Sequence, residues 1–521
     1  MDRRILHYLN EWGEASRAFA RQGDDGMMPM ESQSRWTAAV YLAGGENVAR
    51  EMIPALHDLR DASLGNREAL STLAQFEPGG KPPRLFVFDE ALLPKLALST
   101  KGRGLAPTPM GLANYEHLIE LPDGKGEAGT SRELLKRFVE SARAASGEGH
   151  LLLVISGHAS GAVGEFLGYR AGRDPLDLRD LGRAFEQERA GARRIDILGM
   201  DCCHMSMVEV AYEVSPHARF LVASEGSILN HGWPYREILE AMVELSPREA
   251  AVEIARQYVG TYSDYSILGV DADCAVTDLD ELPLLTEPMR RLSELLTAGI
   301  DDADVWRPTV LAHWEAQSYK DEEYVDLADF CDRLRLHIGD AAIQECCSDV
   351  SEAVTRIVGT SCVSGSGFQF STGLSIYFPW CNDAVKSKGS DGVSQLSTYQ
   401  ELKFSRETLW GNFLDAYLSA TRREPRRAPA ATGGGSFEAV LVGSTVESQP
   451  MSEKKEMTMA IKRYPPWNTN GSPGRASVKN HPRAEEPVEG SMPVRIAPPW
   501  RNKGGASGTS RVKNHPRERN D

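Results

Sequence analysis

The chain has no run of about 18 apolar residues, so no membrane-spanning helix is expected. Its opening, Met1-Asp2-Arg3-Arg4-Ile5-Leu6, soon meets Glu11 and Glu14 and lacks the apolar core of a secretory signal. It has only eight cysteines in 521 residues, and none is spaced as C-x-x-C. The doublets Cys202-Cys203 and Cys346-Cys347 are adjacent instead. This usage points away from a disulfide scaffold and a zinc site, toward reduced thiols in the cytosol and no metal. Aromatic residues are scarce, at 7%, and the net charge is −16, which argues against a nucleic-acid partner.

With 41% hydrophobic residues the chain can bury a substantial core, and its length gives a soft prior of several parts. Residues 1–35 read as a short amphipathic helix followed by a loop, with Leu6, Leu9, Trp12 and Phe19 partly on one face. Between 36 and 245, short apolar runs at 38–42, 85–88, 151–155, 195–198 and 220–223 alternate with helical patterns such as 131–145. That alternation predicts an α/β fold with a doubly wound, mostly parallel sheet flanked by helices. Residues 246–420 read as a helical C-terminal extension with a few strands, one of them at 374–378. From about 421 the character changes to Pro, Gly, Ser and charge. This stretch carries 18 Lys and Arg against 10 Asp and Glu. It reads as a disordered basic tail, too poor in apolar surface to fold alone. Pro465-Pro466-Trp467 recurs as Pro498-Pro499-Trp500, and Val478-Lys479-Asn480-His481-Pro482-Arg483 recurs as Val512-Lys513-Asn514-His515-Pro516-Arg517. The repeats read as docking motifs on a flexible tether, or as a recent duplication without a role.

Two short motifs carry the chemistry. Leu151-Leu152-Leu153-Val154-Ile155 leads into Ser156-Gly157-His158-Ala159-Ser160-Gly161. Ile195-Asp196-Ile197-Leu198-Gly199-Met200 leads into Asp201-Cys202-Cys203-His204-Met205. In an open parallel sheet, reactive groups collect at the carboxyl ends of strands. A His and a Cys ending neighbouring strands make a base and a nucleophile that can meet. Met205, Val208, Ala211 and Tyr212 recur at helical spacing, which predicts a helix whose N-terminus would favour the thiolate. Strand alternation lets only one of the two adjacent cysteines face His158.

These residues resemble the clostripain-like family of cysteine peptidases, relatives of the caspases, from about Trp36 to about Leu418. The resemblance rests on Trp36-Thr37-Ala38-Ala39-Val40-Tyr41-Leu42-Ala43 followed by Asn47, on Gly157-His158-Ala159, and on the box Asp201-Cys202-Cys203-His204-Met205. It continues with Ala223-Ser224-Glu225, Gly232-Trp233-Pro234-Tyr235, Tyr324-Val325-Asp326-Leu327 and Gly373-Leu374-Ser375-Ile376-Tyr377-Phe378-Pro379. It implies that Cys203 is the nucleophile and His158 the base, with the amides of Ala159 and Cys203 holding the oxyanion. It implies that Asp201 lies at the base of the pocket for a substrate Arg or Lys, where a guanidinium pairs well with a carboxylate. On sequence alone Asp201 reads equally as a helix cap. The resemblance also suggests that the strands after 245 extend the same sheet, and that the chain matures by cleavage between the two motifs, at Arg170 or Arg173.

Two residues depart from the family pattern. Ala159 stands where the family has Gly, which preserves the amide donor unless the loop needs a positive φ. His204 replaces an apolar residue and is expected to pack inward. The reading is a cytoplasmic, self-processing cysteine endopeptidase acting on proteins and peptides with a basic residue before the scissile bond. No cofactor is expected, and dependence on Ca²⁺ is left open. Two alternatives remain: a catalytically weak scaffold acting through its tail, and a ligase that uses the same thioester.

Overall fold

A computed structural model describes residues 35–421, except 46–47, 50, 79–82, 93–94, 97–107, 110–130, 165, 168–175, 187–192, 267–269, 320–322 and 381–394. The expected N-terminal helix, Asn47, Arg170, Arg173 and the tail with its repeats lie outside the described residues.

A nine-stranded sheet runs through the centre. Its strands are β1 (Trp36–Gly45), β2 (Leu70–Pro78), β3 (Arg84–Val87), β4 (Thr108–Pro109), β5 (His150–Gly157), β6 (Ile195–Cys202), β7 (Ala218–Ala223), β8 (Ala272–Asp278) and β11 (Val358–Ser364). They lie in the order β11-β8-β7-β6-β5-β1-β2-β3-β4. The five central strands, β7-β6-β5-β1-β2, are mutually parallel. Antiparallel pairings of β7 with β8, β8 with β11, and β2 with β3 occur only toward the edges. The fold is therefore α/β with a mostly parallel sheet.

The apolar runs that mark β1, β5 and β6 are continuous because both faces of the sheet are covered. Alternation divides each run between two cores. On one face Ala38, Val40, Leu42, Leu152, Val154 and Ile197 pack under the helices Ile53–Gly65, Tyr235–Met242 and Pro247–Ser263. On the other, Ala39, Tyr41, Leu153, Ile155, Leu198, Met200 and Cys202 pack under Ser131–Ser146, Leu178–Phe185 and Val208–Val214. This second core runs on without a break into the later helices, as far as Leu418.

The strands after 245 divide in two. β8 and β11 extend the main sheet, as expected. The segment at 374–378 does not. Its strand, β12 (Ser375–Tyr377), joins β9 (Ser318–Tyr319) and β10 (Tyr324–Asp326) in a separate three-stranded sheet. The reason lies in its partners. Ser375 donates N–H and Oγ–H to the Ser206 carbonyl, each at 3.0 Å, so the strand is captured by the segment after β6 and not by a sheet edge. β2 was not expected, because Ser71, Thr72, Gln75 and Glu77 interrupt its apolar pattern. Each is nonetheless buried, with Thr72 Oγ1 donating to the Leu59 carbonyl at 3.1 Å and Gln75 Nε2 to Glu77 at 3.2 Å.

Candidate active site

β5 and β6 are in parallel register with Ser156 opposite Asp201 and Gly157 opposite Cys202. His158 and Cys203 are thus the next residues on adjacent strands. Cys202 belongs to one core, and alternation turns its neighbours on either side the other way. The same count on β5 puts Ile155 with Cys202 and sends Ser156 the opposite way. Ser156 and Asp201 do share a face, since Ser156 Oγ donates to Asp201 Oδ2 at 2.8 Å. Carried one residue past the strand ends, the alternation gives His158 and Cys203 that same face.

The adjacent cysteines differ sharply. Cys202 is buried, its Sγ lies 3.2 Å from the Ile155 carbonyl, and burial pushes its thiol well above the ordinary range. Cys203 is half-buried, with Sγ 3.8 Å from the Ile228 carbonyl. Of the two, only Cys203 is partly exposed to solvent.

His158 is half-buried. Burial lowers its pKa from the usual 6.5, and the charge of Glu51 partly opposes that fall. Its loop is held on several sides. The His158 carbonyl accepts from Leu167 N–H at 2.8 Å, Ala159 and Phe166 form a bridge, and the Tyr324 hydroxyl donates to the Ser160 carbonyl. Gly161 sits directly beneath the Tyr324 ring with φ of +73°, and a Cβ there would come within 2.5 Å of Cε2. That position admits only glycine. Ala159 has no positive φ, so alanine fits without strain at the position where the resemblance expects glycine, and its N–H is retained.

Asp201 is 4% exposed. Its Oδ2 accepts from Ser156 Oγ and, at 2.9 Å, from the Tyr235 hydroxyl, and the Trp233 backbone also reaches the carboxyl. Oδ1 is buried with no hydrogen-bond partner. Burial pushes the carboxyl up to about 6, against the pull of these donors. Gly232, at φ +66°, passes so close that a Cβ would lie 2.6 Å from Oδ2. The segment Gly232-Trp233-Pro234-Tyr235, noted in the sequence without a role, forms this enclosure. Asp201 does not cap a helix, because no helix begins at Cys202 or Cys203.

That observation also corrects the expected helix. It starts at Val208, with Met207 as its cap. Met205 and Ser206 instead donate backbone N–H groups to the Ser224 carbonyl, at 3.0 and 2.9 Å, and Met207 bridges Ser375. Cys203 is therefore more than a turn ahead of the helix, beyond the range of its terminal field. His204 provides the bend at φ +58°. It packs inward as expected, with Nδ1 2.9 Å from the Glu225 carbonyl, Nε2 3.3 Å from Ser227 Oγ, and its ring edge-on to Tyr324.

Sequence reasoning missed Ser156, Tyr235, Tyr324 and Glu51 as members of this neighbourhood. The first three lie within or beside quoted motifs, while nothing in the local sequence marks Glu51. Among the described residues, no group of three or more His, Cys, Asp or Glu is placed to hold a metal ion, and no helix is long and apolar enough to cross a membrane.

A helix-covered parallel sheet that ends two neighbouring strands in a thiol and an imidazole has the architecture of a caspase-like cysteine peptidase. The clostripain family model of C11 peptidases matches residues 122–417, more than half of the chain, and the protein belongs to this family of cysteine peptidases. The chain is similar in fold to an inactive zymogen C11 protease from Parabacteroides distasonis, at 16% identity and a TM-score of 0.50 over 73% of this chain and 99% of that one. It is also similar to a secreted C11 cysteine protease from Bacteroides thetaiotaomicron, solved with an irreversible peptide inhibitor. There the identity is 17% and the TM-score 0.51, over 73% of this chain and 99% of the other. No curated protein matches the sequence.

Proposed function

We propose that the protein is a cysteine endopeptidase that cleaves after Arg or Lys, with Cys203 as nucleophile and His158 as its base. The observation that carries the assignment is the half-buried Cys203 one register step beyond the Gly157–Cys202 pair, on the face shared with Ser156 and Asp201. Cys203 Sγ attacks the scissile carbonyl and His158 takes its proton. The amides of Ala159 and Cys203 stabilise the oxyanion, and His158 returns the proton to the leaving amine. Water then hydrolyses the thioester. Thiol and imidazole supply both halves of this chemistry, so the reading needs no cofactor.

The preference for a basic residue is supported by Asp201. Its Oδ1 is a buried acceptor without a donor, and a substrate guanidinium supplies one. The cation also favours the ionised carboxylate that burial disfavours. The acidic chain steers basic substrates toward it.

The same reading makes the protein a self-processing zymogen, cut at Arg170 or Arg173, acting in the cytoplasm within a stress or defence cascade. The tail repeats dock a partner. Full cleavage of a protein substrate by a chain ending at residue 421 would remove that last role. The deciding experiment is incubation of the purified protein and its Cys203→Ala form with peptides carrying Arg, Lys, Asp or Asn before the scissile bond. Cleavage after Arg and Lys, lost in the variant, is expected. Equal turnover of all four overturns the specificity, and equal activity of both proteins overturns the mechanism. Mass analysis with an added amine separates hydrolysis from ligation. If substrate is consumed while the chain stays intact, self-processing is not required.

A further inference from the structure

β1 and β5 are neighbours in parallel register, with Leu42 opposite Ser156, so the end of β1 lies beside the loop that carries His158. Val48 N–H donates to the Gly44 carbonyl at 3.1 Å, and the Val48 carbonyl accepts from Glu51 N–H at 3.0 Å and Met52 N–H at 3.2 Å. Val48 and Met52 are both buried in the core beneath this face. The turn is thus pinned on two sides, and Glu51 sits between the pins. Its Oε2 is shielded from solvent and has no hydrogen-bond partner. A carboxylate oxygen held in that state is costly unless a donor reaches it during function.

We propose that Glu51 is a positioning residue for His158, holding the ring in its working orientation and stabilising the imidazolium that forms when Cys203 gives up its proton. The inference rests on the reading of Cys203 and His158 as nucleophile and base. The chemistry is simple. Proton transfer from thiol to imidazole creates a cation in a half-buried site, and a fixed carboxylate beside it favours that cation in proportion to its charge. Of the titratable groups on the strands and turns around His158, Asp201 on β6 is not among the charges acting on the ring, and burial favours its neutral form. Cys203 is the proton donor itself. Glu51, on the turn after β1, is the charged side chain that acts on the ring against burial.

The test compares Glu51→Gln and Glu51→Asp with the unaltered enzyme on a peptide bearing Arg before the scissile bond, alongside Cys203→Ala and His158→Ala. In Glu51→Gln, kcat should fall on the order of tenfold or more with KM little changed. The limb of the kcat/KM profile set by the imidazole should move to lower pH, since the imidazolium has lost its partner. Glu51→Asp should recover part of both. A kcat and a limb that stay in place in Glu51→Gln overturn the proposal. So does a fall in kcat with an unmoved limb and no recovery in Glu51→Asp, which marks a role in folding alone. Melting temperatures of both variants identify any loss from unfolding. If Cys203→Ala or His158→Ala retains full activity, it is the dyad that fails, and that result is separate from the behaviour of Glu51.

Discussion

The ends of two neighbouring strand pairs in this sheet have opposite characters. At the end of β5 and β6, His158 and Cys203 stay half-buried and within reach of solvent. Past the end of β7 and at the start of the antiparallel β8, Glu225 and Asp273 are sealed in, with Asp326 of β10 beside them. Asp273 accepts from the backbone N–H groups of Glu225 and Gly226 at 2.6 and 3.0 Å, and Glu225 accepts from Gly373 N–H at 2.9 Å. Burial, then the charges of Asp326 and Asp273, drives the Glu225 carboxyl well upward, and burial lifts Asp326 to about 7. The backbone that these acids fix in turn fixes the thiol's turn, through His204 N–H to the Gly226 carbonyl at 3.0 Å. One strand end stays partly exposed, while the other is closed by buried, hydrogen-bonded acids.

The largest expected effect separates the two cysteines at the open end. Cys203→Ala should lower kcat/KM at least about a thousandfold, because nucleophile and base act as a unit. Cys202→Ala should keep most activity and lose on the order of 1 kcal/mol of stability from its buried site. Peptide kinetics and denaturant melts of both proteins check this, and the reverse pattern would move the nucleophile to Cys202.

Next is Asp201, the buried acid of the open end. Asp201→Asn should cost about 2–5 kcal/mol in kcat/KM for a peptide with Arg before the cut. With a folded pKa of about 6, Asp201 is neutral below that pH and ionised above it. Turnover of Arg peptides should therefore rise with pH through about 6 on account of this group, and that rise should vanish in the Asn variant. A variant that keeps the same acid limb contradicts the assignment.

The smallest effect concerns Glu209, a sealed acid on the same support. Its Oε1 accepts from Tyr377 N–H at 2.9 Å and the Tyr399 hydroxyl at 2.7 Å, Oε2 has no partner, and burial lifts its pKa to about 7. The folded state holds a proton that the unfolded chain releases above its own, lower pKa. The stability this proton contributes is present in full below the unfolded value and is lost as pH rises through about 7. Glu209→Gln keeps the Oε1 acceptor and cannot ionise. Its melting temperature should rise relative to the unaltered protein between pH 5 and 8, by an amount equivalent to on the order of 1–3 kcal/mol. A difference that is flat across that range would mean Glu209 is ionised in the fold.

Much of this open end was legible in the sequence, and for a physical reason. Strands buried on both faces leave unbroken apolar runs, and the residues just beyond those runs sit at the sheet's edge. That placed His158 and Cys203 without reference to anything distant, and alternation left only one of Cys202 and Cys203 able to face His158. The sealed end was not legible. Glu225, Asp273 and Asp326 acquire their environment only when separate segments converge, and a buried acid looks like a surface acid in sequence. β2 hid for a related reason, since its polar residues find partners inside the protein. Periodicity also started the helix after Cys203 too early, because Met205 and Ser206 are bound by the Ser224 carbonyl in extended form. Glu51 belongs to the same class, as no local pattern announces a carboxyl group whose charge acts on a histidine beyond another strand.

The ties behind Cys203 also set an order in time. Ser206 Oγ donates to the Gly373 carbonyl across 167 positions, and Glu209 reaches Tyr399 across 190. A ribosome adding about 5–20 residues per second exposes both motifs long before it delivers those partners. For that interval, on the order of ten seconds or more, the thiol exists on a chain that lacks these two distant ties. Both ties form only once the chain has been made past Tyr399.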